Sequence, residues 1–223
     1  MLTTVIGAYP KPKYLKVPDW FNADGGTDTE FPTKDYLEAI NKMGNEAENI
    51  FHKATEEVIK DQIDCGIDIL TDGEVRRENY IHYHCRYLEG IDFNKLTKKV
   101  ARTGNYECWL PTITSNIKAK DPFLVREWQL AQKMTTKPVK ITIPGPMTIS
   151  DTISNNFYES PKKMGEDLAE AIKIEINRLA DAGCKYIQVD EPLFARKPKE
   201  AIEYGIKNLE KCFEGKKNNK IEK

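Results

Sequence analysis

The sequence lacks most of the short motifs that identify a function at once. It contains no Gly-x-Gly-x-x-Gly or Walker-type loop for binding phosphate, and no Gly-x-Ser-x-Gly motif of a serine hydrolase. Its five cysteines are an odd number without any Cys-x-x-Cys pair, and it has only three histidines. Disulfide frameworks, zinc fingers and nucleotide hydrolysis are therefore all disfavoured.

The chain also lacks an excess of either charge and any long apolar run. Its 223 residues include 34 Lys and Arg against 35 Asp and Glu, so no basic surface for nucleic acid is expected. No stretch approaches the roughly 18 apolar residues of a membrane-spanning helix, and the residues after Met1 do not form a signal peptide. These absences predict a cytoplasmic protein that binds neither nucleic acid nor membrane. We expect Cys65 and Cys184, each beside a glycine, to be reduced and to pack in the core.

Alternating strand and helix patterns run along most of the chain. Four short runs rich in β-branched residues are predicted as strands: 3–8, 67–71, 139–143 and 186–189. Apolar residues at three-and-four spacing predict one long helix over 37–63 that ends at Gly66, and further helices over 77–87, 121–134, 160–183 and about 198–213. The stretch 88–118 has no such period and is predicted as an excursion such as a hairpin.

The repeated strand–helix order predicts an α/β fold with a parallel sheet, because parallel strands need crossover connections. About four strand–helix units fill the chain, whereas a closed (β/α)₈ barrel of the TIM type needs eight. We therefore expect residues 1–223 to form one domain that corresponds to about half of such a barrel. Four open strands would leave two edges and an inner face to be covered by something else.

Acidic residues follow the second and fourth predicted strands. Asp72-Gly73-Glu74 comes after one and Asp190-Glu191-Pro192 after the other, and active sites of α/β proteins lie at the carboxyl ends of parallel strands. The first motif is equally well explained as a simple turn followed by solvated arginines. The second is more informative, because two adjacent carboxylates at a buried strand end must find hydrogen-bond donors.

Two further motifs are given structural interpretations. His82-x-His84-Cys85 contains residue types that bind metals, but on a helix this spacing points the side chains to different faces. Pro144-Gly145-Pro146 is interpreted as a rigid turn that ends the third strand. Neither motif is predicted to bind a ligand by itself.

Five segments taken together resemble one protein family. They are residues 3–10, 72–77, 137–140, 144–148 and 187–192, which read TTVIGAYP, DGEVRR, KPVK, PGPMT and IQVDEP. In this order and spacing they resemble the C-terminal catalytic barrel of cobalamin-independent methionine synthase. The resemblance covers essentially the whole chain, and it is the combination of the five short segments that makes it specific at the level of the superfamily.

The resemblance implies a (β/α)₈ barrel, of which residues 1–223 would be the N-terminal half. It also implies methyl transfer to the thiol of homocysteine, which forms methionine. It implies that the backbone of Ile6, Gly7 and Ala8 binds the substrate carboxylate, and that Glu74 and Asp190 bind its ammonium group. In this family zinc binds the thiol through His, Cys, Glu and Cys ligands of the second half of the barrel, so these ligands are missing from this chain. Zinc keeps a thiolate available near neutral pH, as methyl transfer to sulfur requires.

Three positions depart from the family pattern. Ala8 replaces a serine that contacts the substrate, Thr152 lies near the family's folate-packing tryptophan, and Tyr106 lies near an arginine of the family's excursion. The resemblance therefore leaves the methyl donor open between a folate and a methylated corrinoid protein, which short relatives of the family use.

The leading hypothesis is a zinc-dependent, methionine synthase-like methyltransferase that is inactive as this chain alone. Either the chain is a truncated product or a second polypeptide completes the barrel. One alternative is a non-catalytic half-barrel for binding or assembly, which would associate with itself through its open edges. Another is a thiol-alkylating or decarboxylating relative in the same superfamily. A decarboxylase for tetrapyrroles would need several arginines, and the motif loops offer only Arg76 and Arg77.

Overall fold

The structure is a computed structural model that describes residues 1–18, 32–101 and 106–215. Helices and strands alternate along it, as the sequence predicts. The helices are α1 (Pro32–Met43), α2 (Ala47–Asp64), α3 (Tyr80–Cys85), α4 (Leu124–Gln132), α5 (Pro146–Thr152), α6 (Pro161–Asp181), α7 (Leu193–Arg196), α8 (Pro198–Glu200) and α9 (Ile206–Cys212). The strands are β1 (Leu70–Thr71), β2 (Leu88–Ala101), β3 (Tyr106–Ala119), β4 (Val139–Pro144), β5 (Ser154–Asn155) and β6 (Tyr186–Asp190).

A parallel sheet with the order β1-β4-β6 confirms the predicted α/β fold. Thr4 adds a parallel bridge to Ile69, so the N-terminal segment lies beside β1. The predicted strand over 3–8 is otherwise wrong, since this bridge is its one β-pairing in the described residues. Beyond Thr4, the carbonyls of Val5 and Ile6 instead accept hydrogen bonds from the side chains of Lys140 and Gln188, at 2.6 and 2.8 Å.

The two faces of this sheet differ sharply in polarity. Successive side chains of a strand point to opposite faces. One set of side chains on β4 and β6 consists of Ile141, Ile143 and Ile187. It is buried in the main core, together with residues of α4 and α6. The alternate set is polar and lies on the opposite face: Lys140, Thr142, Gln188 and Asp190. The core therefore sits between the sheet and its helices, and the opposite face of the sheet is polar.

The long helix predicted over 37–63 is two helices. Gly44 has φ +54°, a left-handed conformation, and a 3₁₀ turn at Gly44–Glu46 separates α1 from α2. The predicted end at Gly66 is confirmed: its φ is +77°, its N–H donates to Ile63, and the next N–H donates to Gln62. The expected burial of Cys65 is wrong, because this residue lies on the exposed cap of the helix, whereas Cys184 is buried.

A second sheet and several short helices complete the fold. β2 and β3 form a long antiparallel hairpin in the region of the predicted excursion, and β5 pairs in parallel with β3. α5 was not predicted: it begins at Pro146, inside the motif interpreted as a turn. In the part of the chain that the structure describes, no helix is both long and apolar enough to cross a membrane.

Candidate functional site

A cavity of about 440 Å³ opens at the carboxyl ends of the parallel strands. Four of the five residues predicted for the site line it: Ile6, Ala8, Glu74 and Asp190. Gly7 lies directly against Glu74. The volume is within the usual range of small-molecule sites. The fold thus brings together residues that are up to 184 positions apart in the chain, from Ile6 to Asp190.

Glu74 is held in one orientation by groups from β1 and β4. Its backbone has φ +53°, and its N–H donates to Oδ1 of Asp72 at 3.0 Å. The hydroxyl of Thr142 donates to Oε1 of Glu74 at 2.6 Å, and Nη1 of Arg77 lies 3.6 Å from the same oxygen. The residue is only 9% exposed. Glu74 is therefore a buried, oriented carboxylate at the cavity wall.

Gly7 is required by the close approach of this carboxylate. A Cβ at Gly7 would lie 2.5 Å from Oε1 of Glu74 and 3.0 Å from Cγ2 of Thr142, and φ is +155°. The loop is tied to the end of β1, since Thr71 Oγ1 donates to the Gly7 carbonyl at 2.9 Å and the N–H of Tyr9 donates to Gly73 at 2.9 Å. A side chain at position 7 would push Glu74 or the loop out of place.

Asp190 is the second carboxylate of the cavity. It is half-buried at the end of β6, and Nε2 of Gln188 donates to its Oδ1 at 2.7 Å. Burial raises the pKa of Asp190 and the negative charge of Glu74 adds to this, while the hydrogen bond from Gln188 acts in the opposite direction. A buried carboxylate whose pKa is raised partly by a second carboxylate in the same cavity favours a bound cation, because a cation stabilises its charged form.

Tyr80 is a site residue that the sequence analysis missed. It is the first residue of α3 and lines the cavity with Glu74 and Asp190. Burial raises its pKa to about 12, and both carboxylates act in the same direction, so the phenol stays protonated at neutral pH. Nothing in the local sequence distinguished Tyr80 from other residues of the predicted helix.

Glu191, next to Asp190, also lines the cavity, but its carboxylate is engaged by a helix. Its carboxylate accepts hydrogen bonds from the N–H groups of Met147 and Thr148 at 2.7 and 2.9 Å and from the Thr148 hydroxyl at 2.7 Å. These are the first N–H groups of α5, which otherwise lack partners within the helix. Glu191 therefore caps α5, and Gly145 leaves room for it, since a Cβ there would lie 2.3 Å from its carboxyl carbon.

The arginines after Glu74 are buried, so the interpretation of this motif as a turn with solvated arginines is wrong. Arg77 is 3% exposed, and its Nη1 donates to the carbonyl of Thr142 at 2.9 Å and to its hydroxyl at 3.0 Å. Arg76 is 9% exposed and forms a two-pronged ion pair with Glu48, at 3.1 and 3.0 Å. Arg77 thus supports the residue that orients Glu74.

The His82, His84 and Cys85 side chains are all buried in α3. Burial lowers the pKa of His82 to about 4, with the nearby Arg86 acting in the same direction, and Nδ1 of His84 lies 2.5 Å from the Tyr80 carbonyl. Over residues 1–18, 32–101 and 106–215, no group of three or more His, Cys, Asp and Glu could hold a metal ion.

The fold and the site together define an α/β protein with an acidic cavity at the carboxyl edge of a parallel sheet. This is the edge at which enzymes with parallel α/β sheets bind their substrates. The family model described as "Cobalamin-independent synthase, Catalytic domain" matches residues 1–203, and the chain belongs to this family. The family resemblance inferred from the five segments is confirmed.

Individual relatives extend this comparison. Methionine synthases of Sulfolobus acidocaldarius and Saccharolobus solfataricus are each 34% identical to the chain, over 96% of its length. The structure of a B12-independent methionine synthase from Shewanella sp. W3-18-1, in complex with selenomethionine, is 30% identical, with a TM-score of 0.80 over 96% of this chain. The chain spans only 58–59% of the two archaeal relatives and 58% of the Shewanella protein.

Proposed function

We propose that this chain supplies the amino-acid-binding part of a methionine synthase-type methyltransferase, which transfers a methyl group to the homocysteine thiol and forms methionine. The observation that carries the proposal is the pair of carboxylates, Glu74 and Asp190, in one cavity at the carboxyl edge of the sheet. Family membership and the selenomethionine complex of the Shewanella relative support it.

The ammonium group of the substrate is the cation that the two carboxylates would bind. A charged hydrogen bond in a partly dry cavity is among the stronger polar contacts in proteins. Thr142 and Gln188 fix the orientation of the two carboxylates through hydrogen bonds of 2.6 and 2.7 Å. The backbone of Ile6, Gly7 and Ala8 would bind the carboxylate of the same amino acid, and Ala8 offers no hydroxyl for it.

Residues 1–223 are proposed to form one domain, the first half of a (β/α)₈ barrel. The N-terminal segment, β1, β4 and β6 lie side by side in chain order, as consecutive barrel strands do. Leu2 and Ile6 of the first segment are 63% and 81% exposed, and within the described residues β6 pairs on one side only. Further strands would pair at these edges, from further sequence of the same protein, from a second polypeptide or from a second copy of the chain.

Zinc is the metal that family membership implies, and the described residues do not fit it. They contain no suitable group of His, Cys, Asp and Glu, and the buried His82 and His84 point into packed surroundings. We therefore assign no chemical step through zinc to these residues and propose that the ligands belong to the other half of the barrel.

The methyl donor is proposed to be a folate or a methylated corrinoid protein. Thr152, near the family's folate-packing tryptophan, uses its hydroxyl within α5, where it donates to the Thr148 carbonyl at 2.8 Å. The side chain of Tyr106 lies outside the described residues. Neither residue supports one donor over the other.

A calorimetric titration of the 223-residue chain tests the proposal. L-methionine should bind, whereas 4-(methylthio)butanoate, which has the same carboxylate and thioether but no ammonium group, should bind at least tenfold more weakly. Glu74→Gln and Asp190→Asn should each weaken L-methionine by about tenfold or more, since losing one partner of a buried charge pair typically costs at least 2 kcal/mol.

Glu56→Gln is the matched control, because Glu56 is an exposed acid on α2 away from the cavity. It should leave the affinity for L-methionine unchanged. Absence of L-methionine binding, or equal binding by the Glu74→Gln and Asp190→Asn variants, would overturn the proposal and favour a non-catalytic binding or assembly module. Preferential binding of 4-(methylthio)butanoate, which has no ammonium group, would instead favour a thiol-alkylating relative.

A further inference from the structure

A buried lysine lies on the polar face of the sheet beneath the cavity. Lys140 on β4 is 5% exposed, and its Nζ donates to the Val5 carbonyl at 2.6 Å and to Oε1 of Gln188 at 2.6 Å. Burial lowers its pKa, while Asp190 and Glu74 act in the opposite direction. Burying an ammonium group is costly unless its hydrogen bonds are satisfied, so this placement needs an explanation.

The lysine determines which way the amide of Gln188 points. An ammonium group has only donors, so the oxygen of the amide must face Lys140 and the NH₂ group must face away. That NH₂ group donates to the Ile6 carbonyl at 2.8 Å and to Oδ1 of Asp190 at 2.7 Å. With the opposite amide orientation, all three contacts would be lost.

We propose that Lys140 is a positioning residue for the amino-acid site, which acts through Gln188 to orient Asp190 and to fix the Ile6 loop. This inference rests on the proposed function and adds to it two residues that do not touch the substrate. We call the hydrogen bonds from Lys140 to Gln188, and from Gln188 to Ile6 and Asp190, the relay. It joins the two parts of the site that would bind opposite ends of an amino acid: the loop for the carboxylate and Asp190 for the ammonium group.

The charge of Lys140 also acts on Asp190 directly. The groups that influence the ionisation of Asp190 are Glu74, Lys140, Arg77 and Gln188, with the phenol of Tyr80 and the adjacent Glu191 also coupled to it. Of these, Lys140 and Arg77 are the cations, and both favour the ionised form. Removing the Lys140 charge should therefore make Asp190 harder to ionise.

The test is Lys140→Met, which keeps the length of the side chain and removes its charge. Two readouts are followed: the affinity for L-methionine between pH 4 and 8, and the pKa of Asp190 in the ligand-free chain from its carboxyl ¹³C shift. We expect about tenfold weaker binding at pH 7 and an increase of roughly 0.5–1 unit in the Asp190 pKa. Gln188→Glu, which removes the donor and adds a charge, should raise that pKa further.

Lys137→Met is the matched control. Lys137 also donates to a backbone carbonyl, that of Ile67 at 2.6 Å, but has no link to Asp190. It should leave both readouts unchanged. The inference is overturned if Lys140→Met lowers only the melting temperature, with the Asp190 pKa equal to that of Lys137→Met.

The two readouts separate this inference from the proposed function. If the wild-type chain does not bind L-methionine but Lys140→Met raises the Asp190 pKa, the proposed function fails and the positioning of Asp190 is supported. If Lys140→Met does not fold, Gln188→Leu, which removes the amide without adding a charge, gives the decision: an unchanged Asp190 pKa contradicts the relay, and a raised one supports it.

Discussion

Two acidic motifs, Asp72-Gly73-Glu74 after β1 and Asp190-Glu191 after β6, each contain one acid with a structural role and one assigned to the site. The order of these two acids is opposite in the two motifs. In the first, Asp72 accepts a hydrogen bond from the backbone of its own turn and Glu74 faces the cavity. In the second, both acids line the cavity, but the Glu191 carboxylate is engaged as the cap of α5, whereas that of Asp190 is not. Each motif therefore contains one structural and one site carboxylate, and their order in the sequence does not tell which is which.

The neighbouring elements explain this difference. α5 begins beside the end of β6, so its unpaired N–H groups capture the second acid of that motif. The end of β1 is followed by a turn rather than a helix, and the left-handed backbone of Glu74 directs its side chain to Thr142 on β4. Burial alone does not separate the two roles, since carboxylates of both kinds are largely buried.

The largest effect is expected from removing the structural carboxylate of the second motif. Glu191→Ala leaves three donors of Met147 and Thr148 without their partner, and we expect a loss of about 2–4 kcal/mol in the free energy of unfolding. Asp190→Ala should change it by less than about 1 kcal/mol, because burial already disfavours this charge. Urea unfolding of both variants measures the difference, and equal losses would contradict the division of roles.

A pH-dependent effect is expected at the support of the first motif. Glu127 on α4 accepts a hydrogen bond from Tyr83 and interacts with Arg77, and burial raises its pKa to about 7. The folded chain therefore holds the Glu127 proton more tightly than the unfolded chain does. Protonated Glu127 contributes to the free energy of unfolding at low pH, and this contribution is lost as the pH rises from about 4.5 through 7.

Glu127→Gln keeps the acceptor for Tyr83 and removes this titration. Its stability relative to the wild-type chain should therefore increase between pH 5 and pH 8, by roughly 1–3 kcal/mol. Thermal or urea unfolding at both pH values measures the change. Parallel pH profiles of the two proteins would show that Glu127 does not titrate in this range.

A smaller effect is expected at the loop that faces the first motif. Gly7→Ala places a Cβ against Oε1 of Glu74, and L-methionine should bind about tenfold more weakly, which corresponds to about 1.4 kcal/mol. Gly66→Ala is the control, since Gly66 also has a positive φ but has open space around it. It should reduce stability only and leave the affinity unchanged. Similar affinities of the two variants would show that the approach of Gly7 to Glu74 does not matter.

The smallest effect is expected for the structural acid of the first motif. Asp72→Asn keeps the acceptor for the Glu74 N–H and removes a charge 3.9 Å from Arg77, so the affinity for L-methionine should change by less than about threefold, or ~0.6 kcal/mol. Asp190→Asn, the same substitution in the second motif, should weaken it by about tenfold or more. A reversed order would mean that the roles within the motifs are wrongly assigned.

Several elements could be predicted because their hydrogen bonds are local. The ends of α2 and α6 are fixed by Gly66 and Gly183, at which the chain turns back within five residues. The start of α6 at Ser160 and Pro161 was predicted for the same reason and is confirmed. The break at Gly44 was missed because the apolar period continues across it, although a glycine within a helical pattern is a signal for such a break.

The polar face of the sheet carried a signal that the sequence analysis did not use. Lys140 and Thr142 on β4 are separated by one apolar residue, and so are Gln188 and Asp190 on β6. Residues two apart on a strand share a face, so Lys140, Thr142 and Gln188 could have been placed on the same face as Asp190 from the sequence. Tyr80, by contrast, enters the cavity only because α3 begins at its rim.

The amino-acid sequence by itself determined the alternation of strands and helices, the helix ends at glycine and proline, and the five segments that identify the family. These depend on backbone preferences and on contacts between residues close in the chain. Only the tertiary structure decided that Glu74 and Asp190 share one cavity, that Glu191 caps a helix, and that Lys140 orients Gln188. Those contacts join residues 43 to 182 positions apart, from Thr148–Glu191 to Ile6–Gln188, so they exist only once the sheet order and register are fixed.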